Sequence, residues 1–175
     1  MGDKTIIKAF KDAYENKNVD AVIVRIDSGG GSALASDMMW RQMIKSKQDS
    51  TNQKPFIVSM SDVAASGGYY IGCEADQIIA EPSTVTGSIG VIWVRLNFSN
   101  LLKKIGISFD GLKSNNNADF ANSSHLLTNQ EREKILNVIN QEYNDFKQKV
   151  IDGRNNLNDI EDLDEIALGR IWSGN

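Results

Sequence analysis

Two spacings of apolar residues alternate along the chain. Ile6, Ile7, Phe10 and Tyr14 fall near helical spacing, while Ala21 to Ile26 (AVIVRI) is a short β-branched run like a buried strand. A glycine-rich stretch, Asp27-Ser28-Gly29-Gly30-Gly31-Ser32, follows, and Leu34, Met38, Met39 and Met43 then mark a helix over 33–47. The pattern repeats: Pro55 precedes a strand over 56–60, 61–65 is expected to turn, Ser66 opens a helix toward Ala75, and Gln77 to Ala80 forms a third strand. Strands alternating with helices imply parallel pairing through right-handed crossovers, with functional loops gathered at the C-terminal strand ends. The expected architecture is one α/β domain over 1–175 with a parallel sheet and crossover helices.

Beyond Pro82 the pattern predicts a turn and strand over 86–93, a short helix over 99–105 and a strand over 107–112. The segment 113–124 is polar and Asn-rich, which favours an irregular loop. Thr128 and Glu131 have capping-box spacing at the head of a long helix over about 129–151, whose apolar face includes Ile135, Ile139, Tyr143, Phe146 and Val150. A short acidic helix is expected over 158–169, ending at glycine, with no regular element after it. That abrupt stop suggests a fragment of a longer protein.

Composition narrows the function. The 175 residues are 41% hydrophobic and 24% charged, as in globular domains, and the formal charge of −4 comes without a basic stripe. Nucleic acid is therefore not an expected partner. Cys73 is the single cysteine, so no intrachain disulfide forms and the redox compartment stays open. No apolar run approaches the roughly 20 residues of a membrane helix, so any anchor is expected outside this chain.

The chemistry concentrates in three places. Ala64-Ala65-Ser66-Gly67-Gly68-Tyr69 sets a serine between small residues at a helix start, where free N–H groups favour a developing oxyanion. A serine there also serves as a plain helix cap. Gly30 and Gly31, after the neighbouring strand, are candidate second oxyanion donors. This loop lacks both GxxxxGK[ST] and GxGxxG, which leaves nucleotide binding a weak alternative. A serine nucleophile needs a base. The single histidine, His125, is expected solvated in the polar loop with no aspartate placed to orient it, and a lysine is the natural substitute once burial or a neighbouring cation depresses its pKa.

The set Asp27–Ser32, Ala64–Tyr70 and Pro82-Ser83-Thr84-Val85-Thr86-Gly87-Ser88-Ile89-Gly90 resembles the signal peptide peptidase A group of serine peptidases (family S49), over about Val19 to Gly174. The resemblance implies a ClpP/crotonase-like fold and a serine endopeptidase of the Ser/Lys type that degrades apolar peptides such as cleaved signal peptides, without metal or cofactor. Ser66 is then the nucleophile, Gly67 with Gly30 or Gly31 forms the oxyanion hole, and Ser88 orients the lysine, although a turn serine also bonds its own backbone locally. Two departures stand out. Gly29 replaces the usual proline, and Ala118-Asp119 stands where short relatives carry the base lysine. An Ala-Asp pair resembles the carboxy-terminal half of the long form, whose serine half receives its lysine from the other half. Lys113 is the fallback base, with solvated surface lysine as its plainer reading. The resemblance further implies a lysine-bearing half or neighbouring protomer, a homo-oligomer, and a membrane-associated, extracytoplasmic setting. Two other functions remain open: a crotonase-type acyl-CoA enzyme, and a non-catalytic module that binds peptides or assembles.

Overall fold

The computed structural model describes every residue except 1, 52, 116, 117, 121, 124, 155, 156 and 158, and only the backbone of 161 and 162. It divides into two compact units, Met1–Gly90 with Tyr143–Asn175, and Val91–Glu142.

The first unit is built on a sheet. β1 (Val22–Ser28), β2 (Phe56–Ala65), β3 (Gln77–Ile79) and β4 (Val85–Gly87) join α1 (Asp3–Glu15), α2 (Ala33–Lys47) and α3 (Gly67–Gly72) in alternation. β2 pairs in parallel with β1, β3 and β4. The core follows from the predicted periods. Phe56, Val58 and Met60 alternate inward on β2, and Phe10 of α1 stacks on Tyr14 at 4.8 Å and meets Phe56 edge-on at 5.3 Å. Each such side chain, fully buried, contributes about 1.5–3 kcal/mol. A second cluster joins Phe146 and Val150 of α5 (Asn129–Gly153) to Leu163 and Ala167, in and just after α6 (Ile160–Asp164), with Cys73 and Ile89.

Four expectations need correction here. The strand begun at Phe56 runs on to Ala65, because Ala64 and Ala65 pair with Thr86 and Gly87 and Ser28 pairs with Ala64. Between Ile26↔Met60 and Ser28↔Ala64 the register slips, so the turn expected over 61–65 is an irregularity inside β2. Strand structure around Thr86 ends at Gly87, without reaching Trp93. α3 stops at Gly72, and Ser66 precedes it in a non-helical conformation. The chain does have a terminal element: β5 (Ile171–Ser173) lies antiparallel on β4. A three-residue edge strand follows its neighbour more than its own pattern, and no local signal announces it.

In the second unit, α4 (Ser99–Lys104) forms where the sequence predicts it, and 107–112, expected to be a strand, is irregular. The predicted capping box is present, with the Thr128 N–H donating to Glu131 Oε2 (2.8 Å) and the Glu131 N–H to Thr128 Oγ1 (3.2 Å). The polar loop over 113–124 contains four positions outside the described residues, and Asn158, the expected start of the acidic helix, is another. No helix among the described residues is long and apolar enough to cross a membrane.

Candidate active site

Parallel strands bring their C-terminal ends to one edge, and here three such ends carry serine and glycine. β1 delivers Ser28 and the glycine loop, β2 delivers Ser66, and β4 delivers Ser88. The Ser66 N–H donates to Gly87 O at 2.9 Å, which places the two serine-bearing turns side by side.

Ser66 has φ 51° and ψ −122°. That is a left-handed conformation disfavoured for any residue with a Cβ, and it turns a strand sharply into the helix behind it. Its side chain makes no cap hydrogen bond, so the plain-cap alternative does not describe this serine. It is partly exposed.

The glycine loop packs directly on this turn. A Cβ on Gly30 (φ 94°) would lie 2.5 Å from the Gly67 N and 3.0 Å from Ser66 Cβ, so only glycine allows the approach. The two predicted donors on this loop differ. The Gly30 N–H already donates to Ser28 Oγ at 3.1 Å, whereas the Gly31 N–H has no acceptor among the described residues. The Gly67 N–H, at the first position of α3, is equally free among them. Gly31 N lies 3.4 Å from where a Gly67 Cβ would stand. Two unpaired amides thus flank the serine.

α2 fixes this geometry from behind. Tyr70 Oη donates to Asp37 Oδ1 at 2.8 Å, and Arg41 Nε pairs with Asp37 Oδ2 at 2.5 Å. Burial pushes the Asp37 carboxyl up, and hydrogen bonds from Arg41 and Tyr70 outweigh it, leaving the pKa below its ordinary value. Cys73 is fully buried, and burial pushes its thiol up to about 12, so it is not a nucleophile.

Ser88 is also left-handed, at φ 49°. Its N–H donates to Arg170 O at 2.6 Å, while Gly169 N–H donates to Ile89 O at 2.9 Å. The segment 168–170 that holds Ser88 escaped sequence reasoning. Gly169 reads as an ordinary helix stop, and its partner, Ile89 O, lies beyond the β4–β5 ladder and far away in sequence.

Among the described residues, no side chain is hydrogen-bonded to the Oγ of Ser66 or Ser88. Within this unit Lys47 pairs with Asp76, Lys54 donates to the carbonyls of Ala13, Tyr14 and Asn16, and Lys147 pairs with Asp164. These three lysines are thus engaged by other acceptors.

The second unit holds the other candidates. Lys113 Nζ pairs with Asp119 Oδ2 at 2.9 Å, and this contact is the chief reason the Asp119 carboxyl titrates below its ordinary range. His125 lies between carboxylates, with Nδ1 4.0 Å from Asp119 and Nε2 3.7 Å from Glu131. Three ligand-type groups therefore gather here. They are already matched internally: Lys113 neutralises Asp119, and Thr128 occupies Glu131, whose carboxyl its N–H holds below the usual range.

The peptidase family S49 model matches residues 48–175. The chloroplastic serine protease SPPA of Arabidopsis thaliana is 39% identical over 170 residues, covering 97% of this chain and 24% of its own length. Protease 4 of Haemophilus influenzae is 38% identical, with 99% and 27% covered, and that of Salmonella typhi 34%, with the same coverage. The chain spans about a quarter of the length of these relatives.

Proposed function

The chain belongs to peptidase family S49, and from that premise we propose that it is the serine-bearing part of a Ser/Lys endopeptidase acting on apolar, extended peptides such as cleaved signal peptides. The ClpP/crotonase-like class of that family suits the parallel sheet and crossover helices of the first unit. The observation that carries the reading is Ser66: a strained, partly exposed serine between two unpaired amides, with no base hydrogen-bonded to it among the described residues.

Ser66 Oγ attacks the scissile carbonyl carbon while its proton passes to a neutral lysine amine oriented by Ser88. The oxyanion is held by the N–H groups of Gly67 and Gly31. Collapse breaks the C–N bond, the leaving amine takes the proton from the lysine, and water then hydrolyses the acyl-enzyme to regenerate Ser66. The lysine comes from another half or a neighbouring protomer. Lys113 would first have to break its pair with Asp119.

A partner is also in keeping with the surface of the second unit, where Ile92, Val94, Leu96, Leu101, Leu112 and Leu126 are exposed. Homo-oligomerisation, and membrane association in an extracytoplasmic compartment through a segment outside 1–175, belong to the same proposal.

The test is acylation of Ser66 by a fluorophosphonate, read by intact mass, for the chain alone and with the lysine-bearing half. Labelling that requires the other half is expected. Labelling of the lone chain that disappears in Lys113→Ala would overturn the shared site. No labelling under either condition, with peptide binding unchanged in Ser66→Ala, would replace the peptidase by a non-catalytic binding module.

A further inference from the structure

We propose that the hydroxyl of Tyr143 is a positioning group for Ser88, acting through the left-handed turn at Leu168 and Gly169. The inference deepens the reading of Ser88 as the group that orients the base, and rests on it.

Ser88 has a left-handed backbone, and its side chain has no hydrogen-bond partner among the described residues. Its orientation depends on the backbone pairing of Ser88 N–H with Arg170 O, at 2.6 Å, and of Gly169 N–H with Ile89 O, at 2.9 Å. Both bonds require the chain to reverse immediately before Arg170, and it does so through Leu168 at φ 56° and Gly169 at φ 70°. Glycine takes this conformation freely, but leucine does not. Nor does burial of its side chain explain the choice, because Leu168 is 63% exposed.

The Arg170 N–H closes the turn on Ala167 O at 3.1 Å, and the Leu168 N–H is anchored in addition by donating to Tyr143 Oη at 3.0 Å. This is the side-chain hydrogen bond made to the Leu168–Gly169 backbone among the described residues. Tyr143 is itself fixed. One helical turn on, the buried Lys147 places its ammonium 4.7 Å from the centre of the Tyr143 ring and pairs with Asp164 at 2.8 Å. The N–H groups of Ile166 and Ala167 both donate to Leu163 O, and Leu163 and Ala167 are buried against Phe146 and Val150. α5 therefore grips the segment leading into the turn at Asp164, Leu163 and Ala167, Arg170 and Trp172 brace it at Glu165 O and Ile166 O, and Tyr143 anchors the first left-handed residue of the turn. Ser88 inherits that setting through Arg170.

Tyr143→Phe removes the hydroxyl and keeps the ring. In the chain as it stands, amide exchange at Leu168, Gly169 and Ser88 is expected to speed up about three- to tenfold, as for loss of one ordinary hydrogen bond, with Val58 and its β2 neighbours unchanged. Leu168→Gly in the same background is expected to restore part of the protection at Ser88, since glycine reaches the left-handed conformation without the Cβ penalty that leucine carries. In the assembly with the lysine-bearing half, Tyr143→Phe should slow fluorophosphonate labelling of Ser66, and Tyr143→Phe with Ser88→Ala should be no slower than Ser88→Ala alone. Unchanged exchange at Ser88, or additive slowing in the double variant, would overturn the proposal. Should wild type fail to label, the nucleophile reading falls, while the exchange experiment still decides whether Tyr143 sets Ser88.

Discussion

At Ser66 a serine occupies a backbone conformation that favours glycine, with φ 51° and ψ −122°. Ser66→Gly is expected to raise stability by about 1 kcal/mol through relief of this strain, set against greater freedom in the unfolded chain. The same variant abolishes labelling, and a thermal melt alongside the mass assay checks both. Gly30→Ala acts in the opposite direction. The new Cβ meets the Gly67 amide at 2.5 Å in a left-handed backbone, so it should cost about 1–3 kcal/mol and, on the proposed mechanism, slow acylation by displacing the Gly67 N–H. Ser66, Gly67, Gly30 and Gly31 are legible in the motifs alone. The difference between Gly30 and Gly31 was not legible, because it rests on the Ser28 hydroxyl accepting the Gly30 N–H.

Polar contacts tie the elements that position these residues to one another. Asp76, after α3, accepts the Phe56 N–H at 2.7 Å and pairs with Lys47 at 2.8 Å, so it ties the start of β2 to α2. Burial pushes its carboxyl up, but Lys47 and the Phe56 N–H outweigh burial and leave the pKa depressed. A depressed carboxyl stabilises the fold above its unfolded value, near 3.8, and loses that contribution as pH falls through the lower folded value. Asp76→Asn should therefore melt below wild type at pH 7, and the two should converge on acidification below pH 3.8, as melts across pH will show. Thr128→Ala removes one side of the capping box on α5 and is expected to cost about 1 kcal/mol, measurable by urea denaturation. The capping box and the periods of α1, α2 and α5 were legible because they are local. β5 and the continuation of β2 to Ala65 depend on partners distant in sequence.

For the whole molecule, the expected result is that the chain carries a nucleophile and an oxyanion site and acquires its base from elsewhere, as the two-part labelling experiment tests. Residue order carries the alternation of strands and helices, the glycine loop and serine turn at neighbouring strand ends, and the absence of lysine at Ala118-Asp119. These are properties of residue order and of period, which a linear chain carries in full. Packing adds that Ser66 is strained, that Gly31 keeps the free amide, that Lys113 is held by Asp119, and that the Ser88 N–H is bonded to Arg170 O. Each of these depends on groups brought within hydrogen-bonding or ion-pairing distance by packing, groups as far apart in sequence as Ser88 and Arg170. No local pattern encodes a contact of that span; it exists only once β5 has closed on β4.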